Sequence, residues 1–206
     1  MATLQVPAPG TTPEVAMSVS DPVIKENHLS YVSSLDSRRP ESIDLAVIHC
    51  TELPDLPTAR LYGDRIHYPE SGTGNSGHFY LDRDGRIEEW VPVDRVAHHV
   101  RGYNEQSVGI ELVNRGRYPD WLDSRKQAMP EPYPTAQITS LIWLLLFLNS
   151  KLAGLQWVAG HEELDATRVA ATDDPNLTVF RKRDPGPLFP WSMVLQNIQL
   201  KTFLPD

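Results

Sequence analysis

The segment Ile43-Asp44-Leu45-Ala46-Val47-Ile48-His49 constrains the fold most. A mostly apolar, β-branched-rich run of strand length, without clean polar alternation, is the pattern of a strand buried on both faces. Such a strand needs a covering layer above and another below. The run also delivers His49 to its carboxyl end. One cover is readable from Thr135 to Leu152, where Ile138, Leu141, Ile142, Leu145, Leu148 and Leu152 recur at helical spacing. Thr135 is placed to cap that helix and Gly154 to stop it.

The remaining elements fit the same frame. Gly77 to Leu81 and Arg86 to Val91 flank Asp82-Arg83-Asp84-Gly85, a strong hairpin signal. Ser107 to Val113 is a further strand that carries Glu111 inside an otherwise apolar run, and Leu155 to Gly160 is a short strand leading into His161. Trp191 to Ile198 predicts a closing helix. The proline- and glycine-punctuated stretch from Thr51 to Ser76 predicts a long irregular loop, a feature more often functional than not. Residues 1 to 28, with Pro7, Pro9, Pro13 and Pro22 among small and polar residues, predict an extended tail. The expected class is therefore α/β: a single domain over residues 29–206, with a central mixed β-sheet flanked by helices.

Composition narrows the function classes. At 206 residues, 40% hydrophobic and 22% charged, the chain has the make-up of an ordinary globular domain. A formal charge of −8 with no basic run disfavours nucleic acid as a partner. The one cysteine, Cys50, excludes an internal disulfide. No apolar run is long enough to span a membrane, and Met1 to Ser20 lacks the basic and apolar regions of a secretory signal. Cytoplasmic residence is the resulting expectation, with export by a signal-independent route as the alternative.

Candidate chemistry converges on Arg181-Lys182-Arg183-Asp184-Pro185-Gly186-Pro187, where a lysine and an aspartate precede a rigid turn. His49, His161 and Asp184 each lie at a strand end or in that loop. Two neutral imidazoles and one carboxylate make the donor set of a catalytic zinc site whose fourth position stays open. Glu111 is the candidate base and Lys182 the candidate cation for a developing oxyanion. Each residue also has a structural alternative. His49 could be a hydrogen-bonded strand-end histidine, and His161 could open a helix. Glu111 could pair with Arg115 or Arg117, and Lys182 could be a solvated surface charge.

The joint order of motifs resembles the zinc-dependent N-acetylmuramoyl-L-alanine amidases, a family that includes phage lysozyme amidases, muropeptide-recycling amidases and animal peptidoglycan recognition proteins. The resemblance runs from about Ser34 to Trp191. It rests on Ser34 to Pro40, Val47-Ile48-His49-Cys50-Thr51, His78-Phe79-Tyr80-Leu81-Asp82-Arg83-Asp84-Gly85, His99, Asn104 to Leu112, Gly160-His161 and Lys182 to Pro187. It implies a peptidoglycan-recognition-protein-like fold, one catalytic Zn2+ on His49, His161 and Asp184, Glu111 and Lys182 as catalytic residues, and His99 and Asn104 as substrate-binding residues. The implied reaction is hydrolysis of the amide between the lactyl group of N-acetylmuramic acid and the L-alanine of the stem peptide. Peptidoglycan or muropeptide fragments are the implied partners, with a cognate inhibitor protein expected if the chain is delivered into competing cells. Gly77 stands where the phage enzymes carry a catalytic tyrosine, Cys50 where the recycling enzymes carry asparagine, and Gly102, beside Arg101, where they carry arginine. Two alternatives accompany this reading: a non-catalytic peptidoglycan-binding module, and a zinc hydrolase acting on another amide.

Overall fold

The computed structural model describes residues 22–205. Along the chain these form β1 (Ile24–Glu26), β2 (Leu45–Cys50), α1 (Leu56–Gly63), β3 (Phe79–Leu81), β4 (Ile87–Glu89), β5 (Ser107–Leu112), α2 (Thr135–Lys151), β6 (Trp157–Gly160), α3 (His161–Leu164), β7 (Arg168–Ala170), β8 (Thr178–Phe180), α4 (Trp191–Gln196) and β9 (Lys201–Thr202). Seven strands build one mixed sheet in the order β1-β4-β3-β5-β2-β6-β9, and β7 pairs with β8 in a separate antiparallel ribbon. Only the β3–β4 hairpin is antiparallel within the large sheet.

Side-chain alternation divides the sheet into two faces. Ala46 and Ile48 of β2, with Val108, Ile110 and Leu112 of β5, pack against Ile138, Leu141, Leu144, Leu145 and Leu148 of α2. Each fully buried Leu or Ile there contributes on the order of 1.5–3 kcal/mol. On the opposite face Leu45 and Val47 meet Val100 and Ala159, and Tyr80 joins Leu53, Leu56 and Ala59 around α1. His49 and Glu111 have the parity of this second face. Their strands are parallel and in register, with His49 paired directly to Glu111. The site thus lies at the carboxyl ends of parallel strands, on the side away from α2.

Several boundaries depart from the sequence reading. The expected loop from Thr51 to Ser76 contains α1, whose Asp55 side chain accepts a hydrogen bond from Thr58 N at 2.8 Å. Pro57 sits in its first turn, where its missing N–H costs nothing. With only Leu56, Ala59 and Gly63 buried, the helix is too short to display a clear period. Thr135 does not cap α2: Pro134 takes that place, without a side-chain cap. Of the expected tail, residues 1–21 lie outside the described residues, whereas Ile24–Glu26 is a parallel edge strand of the sheet. No helix among the described residues is long and apolar enough to cross a membrane.

Candidate active site and metal centre

Three side chains from distant parts of the chain converge beneath the groove. His49 Nδ1 and His161 Nδ1 each lie 3.0 Å from the same atom, Asp184 Oδ2. All three residues are buried, and their potential donor atoms fall within 4.8 Å of one another. Local structure explains each approach. His49 projects from β2, and His161 begins α3 directly after β6, the neighbour of β2. Asp184 is drawn in by its own backbone carbonyl, which accepts from Glu162 N at 2.9 Å. Tyr133 donates its hydroxyl to Pro185 O at 2.6 Å, fixing the next residue.

The protonation states suit a cation. Burial, opposed by the bond to Asp184 and reinforced by His161, lowers the His49 imidazole to about 4, so it is neutral at pH 7 with a lone pair to give. Burial works against the Asp184 carboxylate, yet His161, His49 and Lys182 together hold it well below the usual carboxylate range. Asp184 Oδ1 and His161 Nε2 are buried without a hydrogen-bond partner. Buried polar atoms left unpartnered are costly, and an N,N,O donor set with a spare buried carboxylate oxygen fits a zinc ion with an open position.

Glu111 completes the centre. Its Oε1 is 4.0 Å from His49 Nδ1. Burial pushes its carboxyl up to about 8, Asp184 adding to the rise and Lys182 opposing it. Neither arginine considered as its structural partner reaches it. Arg117 pairs with Glu52, and Arg115 bonds Glu131 through its backbone N–H. Lys182 lines the same groove, a cavity of about 820 Å³.

A family model described as N-acetylmuramoyl-L-alanine amidase matches residues 38–187. The chain belongs to that family. It is 31% identical to the endolysin of Escherichia phage T7 over 126 residues, 61% of this chain and 79% of the phage protein. Among solved structures, the amidase LysCS from Clostridium intestinale superposes with a TM-score of 0.62 at 21% identity, over 87% of this chain and 97% of that one. The E. coli amidase AmiD, solved with the substrate anhydro-N-acetylmuramic acid-L-Ala-D-γ-Glu-L-Lys, gives a TM-score of 0.55 at 27% identity, over 76% of this chain and 57% of that one.

Within the amidase, other residues singled out in the sequence fall less directly on the groove. His99 lines it, but its Nδ1 also lies 2.9 Å from His49 Nε2, and its Nε2 lies 3.2 Å from Ser107 Oγ. It therefore backs a candidate metal ligand as well as facing the groove. Asn104 commits its side-chain oxygen to the backbone N–H groups of His99 (3.1 Å) and Val100 (2.8 Å), so its first role is shaping that turn. His78 is fully buried and accepts from Gly109 N at 3.0 Å, away from the groove, whereas His98 lines it. Cys50 points to the opposite face from His49, its Sγ 3.5 Å from Asn114 O.

At Gly77 a Cβ would lie 2.8 Å from Glu111 Cγ. A larger residue there and Glu111 in its present position exclude one another. Tyr80, cross-strand from Glu111, is a groove residue that the sequence reading missed; its hydroxyl accepts from Gly77 N at 3.2 Å. The signal lay in the register between β3 and β5, which local patterns do not carry.

Proposed function

We propose that the amidase is zinc-dependent and hydrolyses the amide joining the lactyl group of N-acetylmuramic acid to the L-alanine of the stem peptide. The observation that carries this reading is the meeting of His49 Nδ1, His161 Nδ1 and Asp184 Oδ2, with a Glu111 carboxylate oxygen 4.0 Å from the first of them. A zinc ion held by those three residues supplies Lewis acidity, bringing a water's pKa from ~15.7 toward ~7 and polarising the scissile carbonyl.

The chain's own groups supply the rest. Glu111 takes the proton from the attacking water and returns it to the departing L-alanine nitrogen. Without metal, burial raises the Glu111 carboxyl to about 8; a zinc cation beside it would favour the ionised form that accepts a proton. Lys182, whose charge is felt at both Glu111 and Asp184, offsets negative charge that develops on the carbonyl oxygen. Burial of His49 keeps it unprotonated and able to hold the ion. The exposed Arg101 gives the groove rim a positive group for the anionic stem peptide.

The test is product analysis on a purified anhydro-muropeptide. We expect release of a peptide that begins with free L-alanine, lost when zinc is chelated and restored when zinc returns. Tight binding without cleavage by zinc-loaded protein would instead indicate a recognition module. Cleavage elsewhere in the stem would indicate a hydrolase of another amide.

A further inference from the structure

Glu52 and Arg117 form a buried ion pair at the floor of the groove. Arg117 Nε and Nη2 donate to the two Glu52 carboxylate oxygens, each at 2.7 Å, and Arg117 N adds a third bond at 3.1 Å. The side chains are 1% and 9% exposed. Burying two charges is costly, and such a pair is weak support for stability alone. The backbone around it is also unusual. Glu52 is the one non-glycine residue among those described with a positive φ, 49°. Opposite it Gly116 has φ 51°, where a Cβ would stand 2.7 Å from Glu52 Cγ. Strain of this kind persists where surrounding structure enforces it, and it clusters at functional sites.

Of the guanidinium's remaining donors, one bond goes to Gln127 Oε1 at 3.2 Å and two go to the strand end that leads into Lys182. Arg117 Nη1 donates to Phe180 O at 2.9 Å and Nη2 to Arg181 O at 3.3 Å. These are the last two carbonyls before Lys182. Arg181 is held further by its N–H to Thr167 O at 2.8 Å and by its guanidinium on Asp165. Glu52 follows β2 and Arg117 follows β5, the strands that carry His49 and Glu111. The pair therefore ties the start of the Arg181–Asp184 segment to the frame that holds those two residues. The far end has separate anchors in the Glu162 N and Tyr133 hydroxyl bonds described above.

We infer that Arg117, braced by Glu52, is a positioning residue for Lys182: it sets where the Lys182 ammonium stands over the groove and leaves the metal ligands to their own supports. The inference rests on the reading of Lys182 as the cation that acts on the reaction. With its side chain 1% exposed, Arg117 meets substrate only through what it holds.

A double-mutant cycle tests this. Turnover per bound zinc is measured on an anhydro-muropeptide for the wild type, Arg117→Met, Lys182→Met and the double variant, and zinc affinity by chelator competition. A misplacement of about 1 Å costs up to about a hundredfold. Arg117→Met alone is expected to lower kcat roughly tenfold to a hundredfold, to change kcat less than about twofold in the Lys182→Met background, and to leave zinc affinity unchanged. Because Arg117→Met strands the Glu52 charge, Glu52→Gln/Arg117→Met runs the same cycle if the single variant does not fold. Losses that multiply across the cycle, or a matching fall in zinc affinity, would overturn the inference while Lys182 keeps its role. Near-normal turnover in Lys182→Met alone would overturn the Lys182 reading and this inference with it.

Discussion

Glu111 shows how one residue can be locally legible and still depend on distant partners. A carboxylate inside an apolar strand stands out because burial without a partner is unfavourable, and its neighbours explain why it stays. The metal-free protein should reveal the cost. Unfolded Glu111 ionises near its ordinary 4.5, whereas in the folded chain burial and Asp184 raise it to about 8. Between those values the folded chain keeps a proton that the unfolded chain releases. The Glu111 contribution to the stability of the zinc-free protein should therefore be fully present below about 4.5 and be lost as pH rises through this window, while His49, lowered from 6.5 to about 4 by burial, contributes in the opposite sense between those two values. Urea denaturation of zinc-free wild type and Glu111→Gln from pH 4 to 8 checks this: the stability of the wild type relative to the variant should fall across the range, and a constant difference would refute the assignment. His49 and His161 were legible for the related reason that each ends an apolar strand. The Glu52–Arg117 pair was not, because its members lie 65 positions apart, Glu52 in a stretch read as a long irregular loop and Arg117 considered only as a partner for Glu111. His99 was legible only as a groove residue, since its bond to His49 depends on a fold that sequence spacing does not disclose.

At the scale of elements, the long apolar helix and the buried strands dictated the layers. α2 displays four turns of consistent spacing, and β2 and β5 are mostly apolar runs interrupted by His49 and Glu111, so their type followed from local pattern. α1 was hidden by its brevity and turn-rich flanks, and the β7–β8 ribbon by exposed residues at alternate positions. The two-faced sheet also separates stability from chemistry. Leu144 is fully buried between α2 and the sheet, on the face away from His49. Leu144→Ala should cost about 2–5 kcal/mol of unfolding free energy, read by denaturant titration of the zinc-loaded protein. Turnover per bound zinc should remain close to wild type at temperatures where the variant is folded. A selective loss of turnover at full zinc occupancy would show that α2 shapes the groove after all.

For the whole molecule, the decisive information is strand order. The α/β class followed from the elements, but β1-β4-β3-β5-β2-β6-β9 pairs strands far apart in sequence, and those parallel pairings carry His49, Glu111 and His161 to one end of the sheet. Family resemblance made that convergence legible where local pattern could not. In the proposed function the assembled site separates metal holding from proton transfer, with His49, His161 and Asp184 serving the first and Glu111 the second. Zinc content and turnover measured together on Glu111→Gln test it most directly. About one zinc per chain is expected, as in the wild type, with kcat lowered about a hundredfold or more. Near-normal turnover, or zinc lost in parallel with activity, would contradict it.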